Sequence, residues 1–238
     1  MKALVLAAGL GNRLGELTQD KPKALVKVGN LELIKHVLNF LDNPKISDIA
    51  VVTGYKSDLL SSFIKNASDK IKIFFNPNFK LGSIKTIECA LPFLDDDFLL
   101  SNVDHIYPKQ ILERVLNNAS EITAICDFDR NLVDDDMKIK LNTSGHLKKI
   151  SKTLADFDGG YIGMTYCSKT HLKIYHDAIK AVIKDSGELS SVESILDTLA
   201  QNGEKINICD ASNIGWLEVD TEEDLKKAEH RLLTERIF

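Results

Sequence analysis

The segment from Leu4 to Leu25 carries the residues best suited to polyphosphate chemistry. It reads LVLAAGLGNRLGELTQDKPKAL, so an apolar strand opens into a glycine-rich loop that holds Arg13 and is followed by Lys23. Glycines leave backbone N–H groups exposed to phosphate oxygens, and two cations add fixed positive charge. The segment therefore predicts a polyphosphate-binding loop.

Two common phosphate motifs fit this loop poorly. The Gly-Lys-Ser/Thr ending of a P-loop is absent. The dinucleotide fingerprint lacks its third glycine, because Leu14 stands there, and no acid closes the second strand. An ordinary glycine-rich turn with a solvated Arg and Lys is the alternative without function. The position of the loop directly after the first strand of an α/β pattern argues against that alternative.

Three acids, which lie in two distant segments, are candidate metal ligands. Asp104 follows the fourth predicted strand, at the sheet edge where α/β folds bind ligands. Glu218 and Asp220 are two residues apart in an extended segment and therefore point to one face. Carboxylate oxygens suit Mg²⁺. As alternatives without a metal, Asp104 is a turn or cap residue and Asp220 only helps to start the last helix.

Composition narrows the class of protein. The chain has 238 residues, 44% hydrophobic and 27% charged, which is typical of a globular protein with a sizeable core. A formal net charge of −5 gives no support for nucleic-acid binding. The four cysteines form no C-x-x-C pair and predict buried free thiols. With Met1 running straight into a strand and no apolar run of ~20 residues, we expect a cytoplasmic protein without membrane insertion.

Alternating strands and helices must position the glycine-rich loop, Lys23 and Asp104. The first strand is a continuous apolar run, which indicates burial on both faces. The alternation predicts an α/β fold with a doubly wound, mostly parallel sheet and a ligand crevice at the carboxyl ends of the strands. Ser57 and Asp58 are candidate caps of the second helix. The predicted strands span 3–8, 46–53, 71–75, 98–100 and 121–126, and the predicted helices span 31–41, 59–64, 84–91 and 109–116.

The pattern changes after residue 127. Residues 137–141 and 146–150 alternate around a polar turn and predict a β-hairpin, which we expect to be a flap over the crevice. Thr221 and Asp224 resemble a capping box that starts the last helix. We expect one domain over 1–238, with a nucleotide-binding half (1–127) and an acceptor-binding half (128–238). The other predicted elements are strands at 161–167 and 206–209 and helices at 169–183, 190–200 and 221–233.

The loop also resembles a known family, the nucleotidyltransferases that join an NTP to a phosphorylated sugar, polyol or alcohol. The signature of that family is L-A-A-G-x-G-x-R followed by K-P-K. The matching residues are Leu6, Ala7, Ala8, Gly9, Leu10, Gly11, Asn12 and Arg13, and then Lys21, Pro22 and Lys23. The resemblance continues more weakly to the last helix. It implies a Rossmann-like nucleotidyltransferase fold and an enzyme that uses CTP or another NTP and releases pyrophosphate.

The resemblance implies a role for each cation of the loop. Backbone N–H groups from Leu10 to Arg13 would hold the β- and γ-phosphates. Arg13 would stabilise the departing pyrophosphate. Lys23 would contact the α-phosphate, where charge develops in the transition state.

The resemblance also implies a Mg²⁺ site. Asp104 matches the metal-binding Asp that the family keeps after the fourth strand. Trp216 to Thr221 resembles the family's W-x-D-x-[DG]-T segment, with Glu218 and Asp220 at the positions of its acids. The family has Asp where this chain has Glu218, so which of the two acids binds the metal stays open.

Further residues match the base and acceptor sites of the family. Gly82, Ser83 and Thr86 match a loop that contacts the base and ribose, and Ser83 is also a candidate helix cap. In the second half, Lys138 and Lys152 fit positions where cytidylyltransferases place cations near the acceptor phosphate. A lone surface lysine is more often only solvated. The residues that match the strand lining the acceptor site include Gly160 and Tyr161, and Gly160 and Gly163 permit a close backbone approach.

Residues 104–107 and the region 137–163 resemble CTP-dependent enzymes most. Their motifs are similar to those of inositol-1-phosphate, phosphocholine and aminoethylphosphonate cytidylyltransferases, which implies CMP transfer to a small phosphorylated or phosphonate acceptor. A choline site would need an aromatic cage, for which the chain offers only Tyr55, Tyr107, Tyr161 and Trp216. Sugar-1-phosphate uridylyl or guanylyl transfer stays open, as does homodimer formation.

Two interpretations concern residues outside these motifs. His105 needs no role as a base, because an acceptor phosphate is already ionised at neutral pH, so we expect it to orient or pack. The acidic runs 95–97 and 134–136 are expected to be solvated turns. A hypothesis from another class, a nucleotide-binding regulatory protein without catalysis, rests on the Glu218 departure alone.

Overall fold

A central sheet with helices on both faces organises the chain in a computed structural model that describes residues 1–235. The strands are β1 (Lys2–Ala7), β2 (Lys27–Val28), β3 (Leu31–Glu32), β4 (Asp48–Thr53), β5 (Ile71–Phe75), β6 (Phe98–Asn102), β7 (His105–Ile106), β8 (Ile122–Asp127), β9 (Lys138–Leu141), β10 (Leu147–Ser151), β11 (Gly159–Cys167), β12 (Asn207–Asp210) and β13 (Leu217–Glu218). The α-helices are α1 (Leu33–Leu41), α2 (Ser57–Ile64), α3 (Ser83–Cys89), α4 (Lys109–Asn118), α5 (Leu172–Ser186), α6 (Ser194–Gln201) and α7 (Glu222–Thr234).

Strand β1 lies at the centre of the parallel part of the sheet. It pairs in parallel with β4 on one side and with β6 on the other, and β4 pairs in parallel with β5. Alternate residues of β1 enter different cores: Leu4 packs on one face, and Ala3 and Val5 pack on the other. The continuous apolar run is therefore buried on both faces, as predicted.

The doubly wound, mostly parallel sheet is confirmed, and one long strand makes it mixed. Strand β11 inserts beside β6 in antiparallel orientation, and its other edge pairs with β8. The first residues of β11, Gly159 and Gly160, pair with β9 on the edge opposite β8. The sequence pattern did not predict this insertion, because β8 continues the α/β alternation and β11 follows only after the hairpin.

The predicted hairpin forms as β9 and β10, and it extends the main sheet through β9 and β11. Helix α6 packs against β10. The hairpin that the sequence predicted as a flap over the crevice is thus the edge of the sheet and also a wall of the crevice. Its position follows from β11, which offers β9 a free edge at Gly159 and Gly160.

A two-residue pairing joins segments that are far apart in the chain. Strand β13 pairs antiparallel with β7, which sets Glu218 opposite His105. Strands β2 and β3 form a similar small hairpin, so α1 begins at Leu33 rather than at residue 31. Strands of two residues carry no periodicity, and the sequence pattern therefore predicted neither pairing.

Of the two predicted helix starts, one is confirmed and one was wrong. The capping box at Thr221 and Asp224 is confirmed and starts α7. The prediction for α2 was wrong, because the helix already includes Ser57 and its N-cap is Lys56 in a left-handed conformation. All four cysteines are free thiols, three buried and one half-buried. Within residues 1–235, no helix combines the length and apolar character that a membrane crossing requires.

Candidate active site

The glycine-rich loop leaves the end of β1 and folds back on Lys23. Gly11 has a φ of 70°, and a Cβ there would lie 2.8 Å from the Cβ of Lys23. The Gly11 carbonyl accepts hydrogen bonds from the N–H of Leu14 (2.9 Å) and the hydroxyl of Thr18 (2.9 Å). A Cβ on Gly9 would meet nothing within 4 Å. The loop thus packs tightly at Gly11 and stays open at Gly9.

Lys23 lies between two carboxylates from distant segments. Its buried ammonium donates to Asp104 Oδ2 at 2.7 Å and to Asp220 Oδ1. Arg13 donates to the other oxygen of Asp220. Burial works against the charge on Lys23, but Asp104 and Asp220 outweigh it and raise the pKa of the amine. Lys23 is therefore a charged ammonium at neutral pH.

Asp104 and His105 form a second pair beside Lys23. The Nδ1 atom of His105 lies 2.6 Å from Asp104 Oδ1. Burial alone would raise the pKa of Asp104, but Lys23 and His105 lower it far more. His105 stacks on Trp216 with ring centres 5.3 Å apart and planes at 10°. These contacts fix the ring of His105 and, through it, the carboxylate of Asp104.

Glu218 completes a group of three carboxylates. Its Oε1 lies 4.0 Å from Nε2 of His105. Burial raises the pKa of Glu218, and the charges of Asp104 and Asp220 raise it further against the opposing effect of His105. Among residues 1–235, no three His, Cys, Asp or Glu side chains already form a metal-binding group. The crowding of oxygen donors nevertheless fits a hard divalent cation, since added positive charge would relieve their repulsion.

Two cavities meet at this group. The larger has a volume of about 610 Å³ and the smaller about 210 Å³. Asn102, Asp104 and Glu193 line both. The residues of the first half that line the smaller cavity include Leu6, Ala7, Ala8, Gly9, Lys23, Phe79, Leu81, Ser83 and Thr86. Asp104 therefore stands where a ligand in one cavity would meet a ligand in the other.

The residues predicted to contact the base, Gly82, Ser83 and Thr86, also make contacts that hold the fold together. Ser83 Oγ accepts a hydrogen bond from the N–H of Val192 (2.8 Å), and Thr86 Oγ1 accepts one from Asn76 (3.1 Å). Gly82 does not line the smaller cavity. A Cβ on Gly82 would lie 2.0 Å from the Ser190 carbonyl, so this glycine makes room for a neighbouring chain segment.

The larger cavity contains most of the predicted acceptor residues. Lys152, Gly160 and Tyr161 line it, together with Glu218 and Asp220. A Cβ on Gly160 would lie 2.7 Å from the side chain of Leu132. All but one of the predicted acceptor-binding residues therefore line the larger cavity.

That exception is Lys138, which faces the backbone instead. Its ammonium donates to the carbonyls of Val133 (2.8 Å), Asp134 (3.3 Å), Asp136 (3.5 Å) and Lys152 (3.0 Å). The side chain is 5% exposed and does not line the larger cavity. This placement corrects the expectation of an acceptor contact, because four carbonyls already satisfy the ammonium.

One residue that sequence reasoning dismissed lies in the site. Asp135 pairs with Arg13 through Oδ2 and with Lys152 through Oδ1, the latter at 2.5 Å, and it lines the larger cavity. Its neighbour Asp134 has an exposed side chain. The sequence offers no signal that separates the two, since both belong to one acidic run. The run at 95–97 behaves differently, with Asp95 paired to Lys2.

The four aromatic candidates, all of them within residues 1–235, do not form a cage. The ring of Trp216 stacks on His105, and the guanidinium of Arg130 lies 4.3 Å from its centre. The indole N–H of Trp216 donates to Asp127 at 2.8 Å. Tyr107 is buried and donates to a backbone carbonyl. The hydroxyl of Tyr161 lies 2.8 Å from that of Thr165.

Comparison with known proteins shows the family of the chain. The sequence profile of the MobA-like NTP transferase domain matches residues 3–132, which contain the loop, Lys23 and Asp104. The chain belongs to this family of NTP transferases. The match covers more than half of the chain, and the matched range includes most of the residues that line the smaller cavity.

Relatives extend the similarity over almost the whole chain. The chain is 28% identical over 235 residues to a "Bifunctional IPC transferase and DIPP synthase" of Archaeoglobus fulgidus, covering 98% of this chain and 44% of that protein. A protein of the same name from Rubrobacter xylanophilus is 27% identical, with 97% and 52% covered. The NTP transferase chain thus spans about half the length of these relatives. A "CTP:phosphoglutamine cytidylyltransferase" of Campylobacter jejuni is 28% identical, with 95% and 98% covered.

Solved structures share the fold. The inositol-1-phosphate CTP transferase from T. maritima superposes with a TM-score of 0.80 at 21% identity, covering 100% of this chain and 97% of that one. A CTP:phosphocholine cytidylyltransferase from Streptococcus pneumoniae gives 0.80 at 21%, with 97% and 98% covered. At this identity the likeness shows the fold alone, and it confirms the nucleotidyltransferase fold expected from the sequence.

Proposed function

We propose that this chain is a Mg²⁺-dependent cytidylyltransferase, which transfers CMP from CTP to a small phosphorylated or phosphonate acceptor and releases pyrophosphate. The observation that carries the proposal is the ammonium of Lys23 held by Asp104 and Asp220 where two cavities meet. Nucleotidyl transfer needs two anionic substrates brought together beside fixed charge, and this junction supplies both conditions.

The smaller cavity is the proposed nucleotide site. The backbone of the loop from Leu6 to Arg13 would receive the triphosphate, while Ser83 and Thr86 lie at the base and ribose end. An oxygen of the acceptor phosphate attacks the α-phosphorus, the bond from that phosphorus to the bridging oxygen of the β-phosphate breaks, and pyrophosphate leaves with the electron pair. Lys23 stabilises the charge on the α-phosphate, and Arg13 stabilises the pyrophosphate.

Asp104, with Asp220 or Glu218, would hold Mg²⁺. When bound, the metal supplies positive charge that neutralises the phosphate oxygens. His105 orients the carboxylate of Asp104 through its hydrogen bond and its stacking on Trp216. No proton has to move in this reaction, because the attacking phosphate is already ionised.

The larger cavity is the proposed acceptor site. Lys152 would contact the acceptor phosphate, and Gly160 and Tyr161 line the space beyond it. The names of several relatives include CTP or a cytidylyl product with a phosphorylated or phosphonate acceptor, which supports this class. The nucleotide thus belongs mainly to residues 1–127 and the acceptor to 128–238. The free cysteines fit a reducing compartment such as the cytoplasm.

One alternative reaction has support from the comparisons. A UTP–glucose-1-phosphate uridylyltransferase of Haloferax volcanii is 27% identical over 243 residues, so uridylyl or guanylyl transfer to a sugar-1-phosphate is the second candidate. A regulatory protein without catalysis is the third, and it would bind an NTP without releasing pyrophosphate.

A pyrophosphate-release assay tests the proposal. The purified protein is incubated with each of four NTPs, Mg²⁺, and inositol-1-phosphate, phosphocholine, aminoethylphosphonate or glucose-1-phosphate. We expect release with CTP and one of the first three acceptors. We expect Asp104→Asn, which keeps the size of the side chain, to lose at least ~10³-fold in turnover, more than one electrostatic contact is worth. Release with UTP or GTP alone would favour the second candidate, and full activity of Asp104→Asn would contradict the metal assignment.

A further inference from the structure

Asp135 lines the larger cavity and links the glycine-rich loop to the segment that follows β10. One oxygen accepts from Arg13 of the glycine-rich loop, and the other accepts from Lys152, which follows β10, at 2.5 Å. These two cations are the ones proposed to contact the leaving pyrophosphate and the acceptor phosphate. A single carboxylate therefore neutralises one cation on each substrate side.

The turn that carries Asp135 is anchored, so its position is built into the fold. Lys138 donates to the carbonyls on either side of Asp135, those of Asp134 and Asp136. The carboxylate of Asp136 accepts from the N–H of Val133 at 2.6 Å. The backbone at Asp135 is thus held by buried contacts, while its side chain reaches into the cavity.

The contacts of Asp135 are also replaceable. The side chains of Arg13 and Asp135 are 52% and 53% exposed, and Lys152 is 45% exposed. Ion pairs between such exposed groups contribute little to stability. Hydrogen bonding to Lys152 and Arg13 lowers the pKa of Asp135, which keeps it an anion at neutral pH. Asp135 therefore resembles a phosphate oxygen in charge and in the partners it takes.

We propose that Asp135 is a positioning residue that holds Arg13 and Lys152 at the cavity until a substrate phosphate takes its place. The inference rests on the proposed function, because it takes Arg13 and Lys152 as the phosphate contacts of two substrates. A polyphosphate that takes the N–H group of Arg13 now bound by Asp135 displaces this carboxylate and then repels it through like charge, while Asp220 still accepts from the other nitrogen of Arg13. Asp135 accordingly reduces the affinity for anions while it keeps both cations in place.

Binding of inorganic tripolyphosphate tests this role without any assumption about the base or the acceptor. Its affinity is measured by titration calorimetry at low ionic strength for the wild type, Asp135→Asn and Asp134→Asn. Asp134→Asn is the matched control, since it removes the same charge at the neighbouring position. Among residues 1–235, the side chain of Asp134 has no cationic partner, whereas Asp135 has two. Asp135→Glu keeps the charge, and thermal unfolding verifies that each variant is folded.

We expect Asp135→Asn to bind tripolyphosphate about two- to fivefold tighter than the wild type, the range of one exposed ion pair. Asp134→Asn and Asp135→Glu should stay close to the wild type. A gain in affinity is diagnostic, because a variant that only damages the turn would bind more weakly. Equal or weaker binding by Asp135→Asn than by Asp134→Asn overturns the proposal.

The same variants separate this inference from the proposed function. If Asp135→Asn gains affinity for tripolyphosphate and the wild type releases no pyrophosphate from any NTP, the role of Asp135 stands and the reaction fails. If the wild type makes a CDP-linked product and the two Asn variants bind tripolyphosphate equally, the reaction stands and the role of Asp135 fails.

Discussion

Two buried lysines, one in each half of the chain, show how a site differs from a scaffold. Lys23 is 7% exposed and Lys138 is 5% exposed, and the sequence predicted a phosphate contact for both. Lys23 is neutralised by the carboxylates of Asp104 and Asp220. Lys138 is satisfied by four backbone carbonyls of its own region.

The type of partner explains the difference. Carboxylates that converge on one ammonium carry net charge, which a metal or a phosphate can redistribute. Carbonyls are neutral and fixed by the fold, and a lysine that satisfies four of them cannot leave without exposing buried acceptors. The partners of a buried cation therefore indicate its function better than the cation itself does.

The largest expected effect concerns the site lysine. Lys23→Met keeps the length of the side chain and removes its charge, so we expect kcat for pyrophosphate release to fall by about 10²–10³-fold. The fold should be kept, because Asp104 and Asp220 retain His105 and Arg13 as partners. Turnover measured beside circular dichroism checks both statements. Nearly unchanged turnover would place the reacting phosphate elsewhere.

The scaffold lysine should show the opposite result. Lys138→Met removes the ammonium from which four backbone carbonyls accept at partly or fully buried contacts, and we expect the free energy of unfolding to fall by about 2–3 kcal/mol. The loss of turnover per folded molecule should be much smaller than that of Lys23→Met. Denaturant unfolding measures the first quantity. Unchanged stability together with a raised KM for the acceptor would show that Lys138 contacts substrate after all.

A smaller difference in stability and turnover is expected between two glycine variants, one in each half of the chain. Gly11→Ala puts a Cβ into a left-handed backbone and against Lys23, so we expect a loss of about 1–2 kcal/mol in stability and a further loss of turnover. Gly160→Ala meets only the flexible end of Leu132, which can move, and should cost less. Paired unfolding and activity assays compare them. A larger loss of turnover in Gly160→Ala would reverse the order.

The first half could be predicted from the sequence because its information is local. The apolar run of β1, the glycine-rich loop and Lys23 are neighbours in the chain, and the carboxyl ends of parallel strands bring Asp104 to the same edge. The sheet class and nearly all its longer elements were predicted for this reason. The capping box at Thr221 is equally local, and it was also correct.

The rest depends on contacts that no local pattern encodes. The pairing of β7 with β13 brings Glu218 to His105 across more than a hundred residues of chain. Asp135 enters the site, and Asp134 does not, only because of the way one turn is anchored. Lys138 looked like an acceptor contact because its neighbours matched that pattern, but burial in the turn decides its partners.

A crystal structure of the protein with CTP and Mg²⁺ tests the central claim most directly, through the distance from Nζ of Lys23 to the nearest α-phosphate oxygen. We expect a hydrogen-bond distance of about 2.7–3.2 Å, with the base in the smaller cavity and Asp104 beside the phosphates. A triphosphate that lies in the larger cavity against Lys152, with Lys23 still held only by Asp104 and Asp220, would contradict it.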